Sequence, residues 1–227
     1  MEISKQIRRP SSRTVKKGIL KKDLISFREK ALELGASAAQ VIPSSYVVVQ
    51  ERVWMKCLVP RCPTAGLTPH CPPNSPQPDF MRKVFNQYQW ALLFKRNLEP
   101  VEDYVELSET RSSEPRNRVQ KRMNFHKKTW EISGRLESYA QSRGYDLAMA
   151  YSAGCCKFSL CGGQPCALSQ NEPCRNPFRA RPSMEGVGID VLGLAEKVGW
   201  TTYMIRRVER EPNEIPYAVS VGILFIY

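Results

Sequence analysis

The eight cysteines of this 227-residue chain fall into two short groups. The first reads Cys57-x4-Cys62-x8-Cys71-Pro-Pro, the second Cys155-Cys156-x4-Cys161-x4-Cys166-x7-Cys174. No cysteine lies between them. The stretch 57–78 is studded with proline, including Pro72 and Pro73 directly after Cys71. Proline fixes φ and offers no backbone N–H, so this stretch cannot run as a helix or a central strand. Gly162 and Gly163 follow Cys161 in the second group, where glycine permits close approach of the backbone to a bulky guest. The fold therefore has to deliver two irregular thiol-bearing loops. In a reducing compartment such thiols bind metal more often than they pair as disulfides.

An apolar content of 42% supplies a core without covalent staples, so a bound metal would fasten loops rather than replace a core. No apolar run approaches the roughly 18 residues of a membrane-spanning helix. The basic N-terminus lacks the apolar stretch and cleavage site of a secretory signal. A cytoplasmic location without membrane insertion is the expectation. Residues 1–22 hold Lys5, Arg8, Arg9, Arg13, Lys16, Lys17, Lys21 and Lys22 against Glu2 alone, more than half of the net charge of +12. Such an arm attracts nucleic acid or an acidic protein surface, and an acidic electron-transfer partner fits equally. A solvated, mobile tail is the plainer reading. We expect a flexible basic arm over residues 1–20 and a single metal-binding domain over 21–227.

Apolar spacing predicts a helix from about Lys22 to Gly35, with Leu24, Ile25, Phe27, Ala31 and Leu32 at helical spacing. Strands are expected over 38–42 and 46–54, the second rich in valine and aromatic residues and leading straight to Cys57. A helix over 78–88 and a strand over 90–94 follow. Residues 97–116 read as a polar surface excursion. A long helix is expected over 118–143, with Met123, Trp130, Ile132, Leu136 and Tyr139 facing the core. Beyond Gly144 a buried strand over 145–151 delivers the chain to the second cysteine loop, 154–183. A helix over 190–198, capped by Asp190, precedes strands over 203–208 and 218–226. This alternation argues an α/β or α+β fold: a mixed sheet with helices packed on it and the two cysteine loops meeting at one edge.

Three chemistries compete for the thiols. Iron–sulfur clusters are held by cysteine thiolates in short loops whose amides hydrogen-bond the sulfur atoms. The recurring Cys-Pro and Pro-Cys steps at 62–63, 71–72, 165–166 and 173–174 suit that chemistry, although the ferredoxin C-x2-C-x2-C-x3-C run is not reproduced. Structural zinc favours close pairs spaced C-x2–4-C, which the x8 and x7 steps do not supply. A disulfide framework is disfavoured by the cysteine content. One or two [4Fe-4S] clusters are the expected cofactor, with zinc as the alternative.

The residues also carry a family resemblance. Lys56-Cys57 through Cys71-Pro-Pro-Asn-Ser-Pro, Ala91-Leu-Leu-Phe94, Ala153-Gly154 with the cysteine run, Cys174-Arg-Asn-Pro177 and above all Ala180-Arg-Pro-Ser-Met-Glu-Gly-Val-Gly-Ile-Asp-Val191 are similar to the Domain of Unknown Function 2284 family. That family comprises predicted metal-binding proteins of mostly anaerobic prokaryotes. The resemblance implies a cysteine-bound centre, iron–sulfur by preference, and names no reaction. It places candidate ligands at Cys57, Cys62, Cys71, Cys156, Cys161, Cys166 and Cys174. Cys155 stands where the resemblance leads one to expect proline. If Cys155 is dispensable, the first set holds three thiolates and leaves one iron open to a substrate. If it completes that set, both clusters are closed. Adjacent cysteines in an extended segment point to opposite sides, so Cys155 and Cys156 are able to serve different centres.

His70, beside Cys71, is a candidate fourth ligand or proton donor, with a loop-stabilising role ahead of either. His126 reads as ordinary helix surface. Arg181 and Glu185 read as an internal ion pair ahead of a role in gripping an anion. Gly186 and Gly188 form too short a glycine motif for nucleotide binding. The function expected is an iron–sulfur redox protein exchanging electrons with a partner enzyme. The alternatives are an iron–sulfur oxidoreductase or activator with an open iron, and a zinc-stapled nucleic-acid-binding module.

Overall fold

A computed structural model of the chain describes residues 17–101, 124–203 and 215–227. Within them the fold is α+β: a four-stranded sheet in the order β1-β2-β4-β3, antiparallel at every pairing, with helices on both faces. The strands are β1 (Ala38–Pro43), β2 (Trp90–Leu98), β3 (Met149–Tyr151) and β4 (Ala218–Phe225). Ala91–Phe94 and Ile223–Phe225 are fully buried, because β2 and β4 are central strands covered on both sides.

Strand alternation divides the core. Leu92, Phe94 and Leu224 face a layer built by Phe27 and Ala31 of α1 (Lys17–Glu33) and by Ile132, Leu136 and Ala140 of α4 (Lys127–Ser142). Ala91, Leu93, Ile223 and Phe225 face the other layer. There they meet Met81 and Phe85 of α3 (Pro78–Phe85), Leu194 of α6 (Val191–Lys197), and Met184 and Ile189 from the segment that precedes α6. Phe85 and Phe225 stack with ring centroids 4.2 Å apart. Asp190 caps α6, its carboxylate accepting from the Gly193 N–H. Among the described residues no helix is long and apolar enough to cross a membrane.

Several elements differ from the sequence expectations. Residues 46–54 hold no strand: a single bridge from Val49 to Ile189 is followed by α2 (Glu51–Met55). The valines there answer to one pairing partner, and local bonds from Val53 and Trp54 back to the Gln50 carbonyl take over, so tertiary context overrides β propensity. The strand expected over 145–151 shortens to β3 because the chain turns first, Ala148 N–H bonding the Tyr145 carbonyl. The second cysteine loop contains a short helix, α5 (Cys156–Cys161). Residues 1–16 of the basic arm expected over 1–20, residues 118–123 of the expected long helix, most of the polar excursion and residues 204–208 of the penultimate strand lie outside the described residues, while residues 17–20 of that arm belong to α1.

Candidate metal centre

The first cysteine loop starts from the last turn of α2, where the Cys57 N–H bonds the Trp54 carbonyl. Lacking regular structure, the loop satisfies its polar groups internally. Cys62 N–H donates to the Cys57 carbonyl (2.9 Å), Gly66 N–H to the Pro72 carbonyl (2.8 Å) and Cys71 N–H to the Thr68 carbonyl (3.2 Å). The Asn74 side chain donates to the Gly66 and Thr68 carbonyls. Buried Ser75 then donates to the Gly186 carbonyl at 2.6 Å, and Gln50 N–H and Asp190 N–H complete the bridge at 2.7 and 2.9 Å. Gly188 lies in this bridge at φ +86, where a Cβ would stand 3.0 Å from the Gln50 carbonyl. The glycine pair thus lets two loops close on each other; it does not frame a nucleotide.

The second loop leaves β3 through Ser152, which is bridged to Ser183. Trp130, fully buried on α4, donates its indole N–H to the Ala153 carbonyl at 2.8 Å and packs with Cys156 and Ala180. Gly154 turns the chain at φ +68, where a Cβ would lie 2.3 Å from His126 Cδ2. Cys155 is extended, and Cys156 opens α5. That change of backbone between two neighbours puts their thiols on the linings of two different cavities, while the two side chains stay in hydrogen-bond contact.

The thiols ring two chambers. Cys57, Cys62, Cys71 and Cys155 line one of about 500 Å³, together with Glu185 and His126. Cys156, Cys161, Cys166 and Cys174 line the other, of about 20 Å³, together with His70; this is room for about one water, so a cluster would fit there only with the loop opened. Across the first, Cys71 Sγ and Cys155 Sγ stand 3.6 Å apart, and Cys62 Sγ lies 3.2 Å from the Thr64 hydroxyl. In the second, Asn176 donates its backbone N–H to Cys174 Sγ and its amide to Cys161 Sγ, each at 3.4 Å. All eight are free thiols. Among the described residues, no three histidine, cysteine or carboxylate side chains converge as a single-ion site. Burial, then the neighbouring Cys62, Glu185 and Cys71, push the Cys57 thiol up to about 11. The contact with Cys155, followed by burial, raises the Cys71 thiol as well. Cys155 is itself raised, first by Cys156. Such crowded thiols become thiolates together only where a cation offsets their mutual repulsion.

Four residues outside the thiol sets stand elsewhere than expected. Arg181 pairs not with Glu185 but with Glu137 of α4. Glu185 faces the first chamber, and burial raises its carboxyl above the usual range. His126 is no ordinary surface residue: it lines that chamber and shares a hydrogen bond of 2.8 Å through Nδ1 with Ser220, which in turn bonds Thr129. No periodic signal marks His126, since its partner lies in β4, far along the chain. His70 sits against the second set, Nδ1 3.6 Å from Cys156 Sγ, although its neighbour Cys71 belongs to the first.

Burial lowers the His126 pKa to about 4, against about 6.5 in an unfolded chain. The fold holds the ring neutral, so its contribution is present above about pH 6.5 and is lost as the pH falls towards 4, where the unfolded chain binds the extra proton. Between pH 7 and 4.5 the wild type should therefore lose about 2–3 kcal/mol more than His126→Asn, which keeps a donor towards Ser220. Urea unfolding at both pH values measures this; parallel losses would assign the acid response to other groups.

A family model described as a predicted metal-binding protein (DUF2284) matches residues 40–225. Neither the curated proteins nor the solved structures contain a match.

Proposed function

The chain belongs to the DUF2284 family of predicted metal-binding proteins, and from that premise we propose that it carries two iron–sulfur centres, each of the [4Fe-4S] type, and exchanges electrons with a partner protein. The observation that carries this reading is the divergence of Cys155 and Cys156 into different chambers. It completes two sets of four thiols. Soft thiolates in fours are the donor set of such clusters, and the Asn176 donors at Cys161 and Cys174 are of the kind that tune cluster sulfur.

When bound, the clusters supply reversible one-electron chemistry. The chain's own residues do the rest. α2, β3 and α5 aim the thiols, the 49–189 bridge holds the loops together, and Trp130 with Ala180 keeps water from Cys156. Four thiols per set leave no protein-side vacancy in the ligation. This favours electron transfer over the alternative in which Cys57, Cys62 and Cys71 alone hold a substrate-binding iron.

The test is iron, zinc and acid-labile sulfide per chain on protein purified without oxygen. About eight iron and eight sulfide are expected, two clusters' worth. About four of each would leave one set without a centre. Zinc near two without sulfide would overturn the reading in favour of a zinc-stapled module.

A further inference from the structure

Two dipeptides form the partition between the chambers. His70-Cys71 sends the histidine into the second chamber and the cysteine into the first. Cys155-Cys156 sends its first thiol into the first chamber and its second into the other. The two dipeptides lie side by side in the partition, touching once on each of its sides: Cys71 Sγ meets Cys155 Sγ at 3.6 Å in the first chamber, and His70 Nδ1 meets Cys156 Sγ at 3.6 Å in the second. Neighbouring Cα atoms are only about 3.8 Å apart. The wall is thus one residue thick, and a single peptide unit joins a thiol of one set to a thiol of the other.

Resting on the two-cluster reading above, we infer that this wall couples the centres into one redox unit, and that His70 is a positioning residue for the second of them. Each centre takes one electron from an external low-potential one-electron donor and returns it to a one-electron acceptor. No bond is made or broken and no proton moves. With Cys156 a thiolate, His70 Nδ1 carries the hydrogen and donates to its sulfur. A donor at a ligating sulfur favours the reduced, more negative state and so raises the potential of that centre.

The experiment is electron paramagnetic resonance on dithionite-reduced holoprotein, beside Cys62→Ala and Cys166→Ala, each of which keeps one complete thiol set. The wild type should show broadened, split lines that the sum of the two single-centre spectra does not reproduce. A wild-type spectrum equal to that sum, from protein holding both clusters by sulfide analysis, overturns the coupling while the two-cluster reading stands. Protein without sulfide removes both. Should either cysteine variant fail to fold, the power dependence of the fully reduced wild type provides the comparison: fast relaxation shared by both signals is expected, and independent saturation overturns the coupling. His70→Ala should shift the second centre to lower potential in a redox titration, and His70→Asn, which restores an N–H near Nδ1, should return most of that shift. Equal potentials in all three proteins would reduce His70 to a structural role.

Discussion

Cys155→Ala is expected to cost the protein about half of its iron and acid-labile sulfide, and Cys156→Ala the other half. The reason is the backbone turn between them. Cys155 is extended and faces Cys57, Cys62 and Cys71, whereas Cys156 begins α5 beside Cys161, Cys166 and Cys174. On the two-cluster proposal, each substitution removes one of four thiols from one set and none from the other. Losses in the two single variants should therefore add, and the double variant should hold almost no sulfide. Analysis of iron and sulfide in all three proteins, with absorbance near the charge-transfer bands, measures this. An unchanged cluster content in Cys155→Ala would make that residue dispensable and restore the open-iron reading of the first set.

The second large effect belongs to Glu137. Its carboxylate, 7% exposed, accepts from Arg181 Nε at 3.0 Å, from Arg181 Nη2, and from the Ala150 N–H at 2.7 Å. Arg181 also donates to the Pro177 and Ala180 carbonyls at 3.1 and 2.8 Å. One buried group thus fastens α4 to β3 and to the segment behind Cys174. Glu137→Ala leaves the guanidinium and an amide without their acceptor, which costs about 3–5 kcal/mol, or a fall of roughly 6–20 °C in Tm for a chain of this length. The double variant Glu137→Leu with Arg181→Leu should recover part of the loss, because replacing a buried pair is cheaper than breaking it. Thermal unfolding of the single and double variants tests both statements. A loss below about 1 kcal/mol would place the pair among ordinary surface bridges.

The residues disclosed the fold unevenly. Leu24, Phe27 and Ala31 mark their helix because burial follows the helical period, although Ile25 and Leu32 of the same apolar set are exposed; Ala91–Phe94 reads as a covered strand because both neighbours are apolar. Val47, Val48 and Val49 mislead for the opposite reason. Their β character serves a single bridge to Ile189, a partner that no local window contains. Spacing marks the eight thiols as candidate ligands, and the adjacency of Cys155 and Cys156 offers the division that their two cavities agree with. The placing of His70 with the other set, the turn of Arg181 towards Glu137 and the presence of Glu185 and His126 in the first chamber were not legible in the sequence. Each depends on contacts across the closed fold, and one-dimensional patterns carry no such distances.

The distribution of thiols along the chain also imposes an order of events. Cys156, Cys161, Cys166 and Cys174 arrive within one short stretch, so a nascent or partly unfolded chain can gather them by local closure at small entropic cost. The other set needs residues 57–71 to find Cys155 across the intervening α3, β2 and α4, and that meeting exists only once the sheet has formed. On the two-centre proposal, loading of the larger chamber would report completed folding, and a chain caught halfway would carry one centre at most.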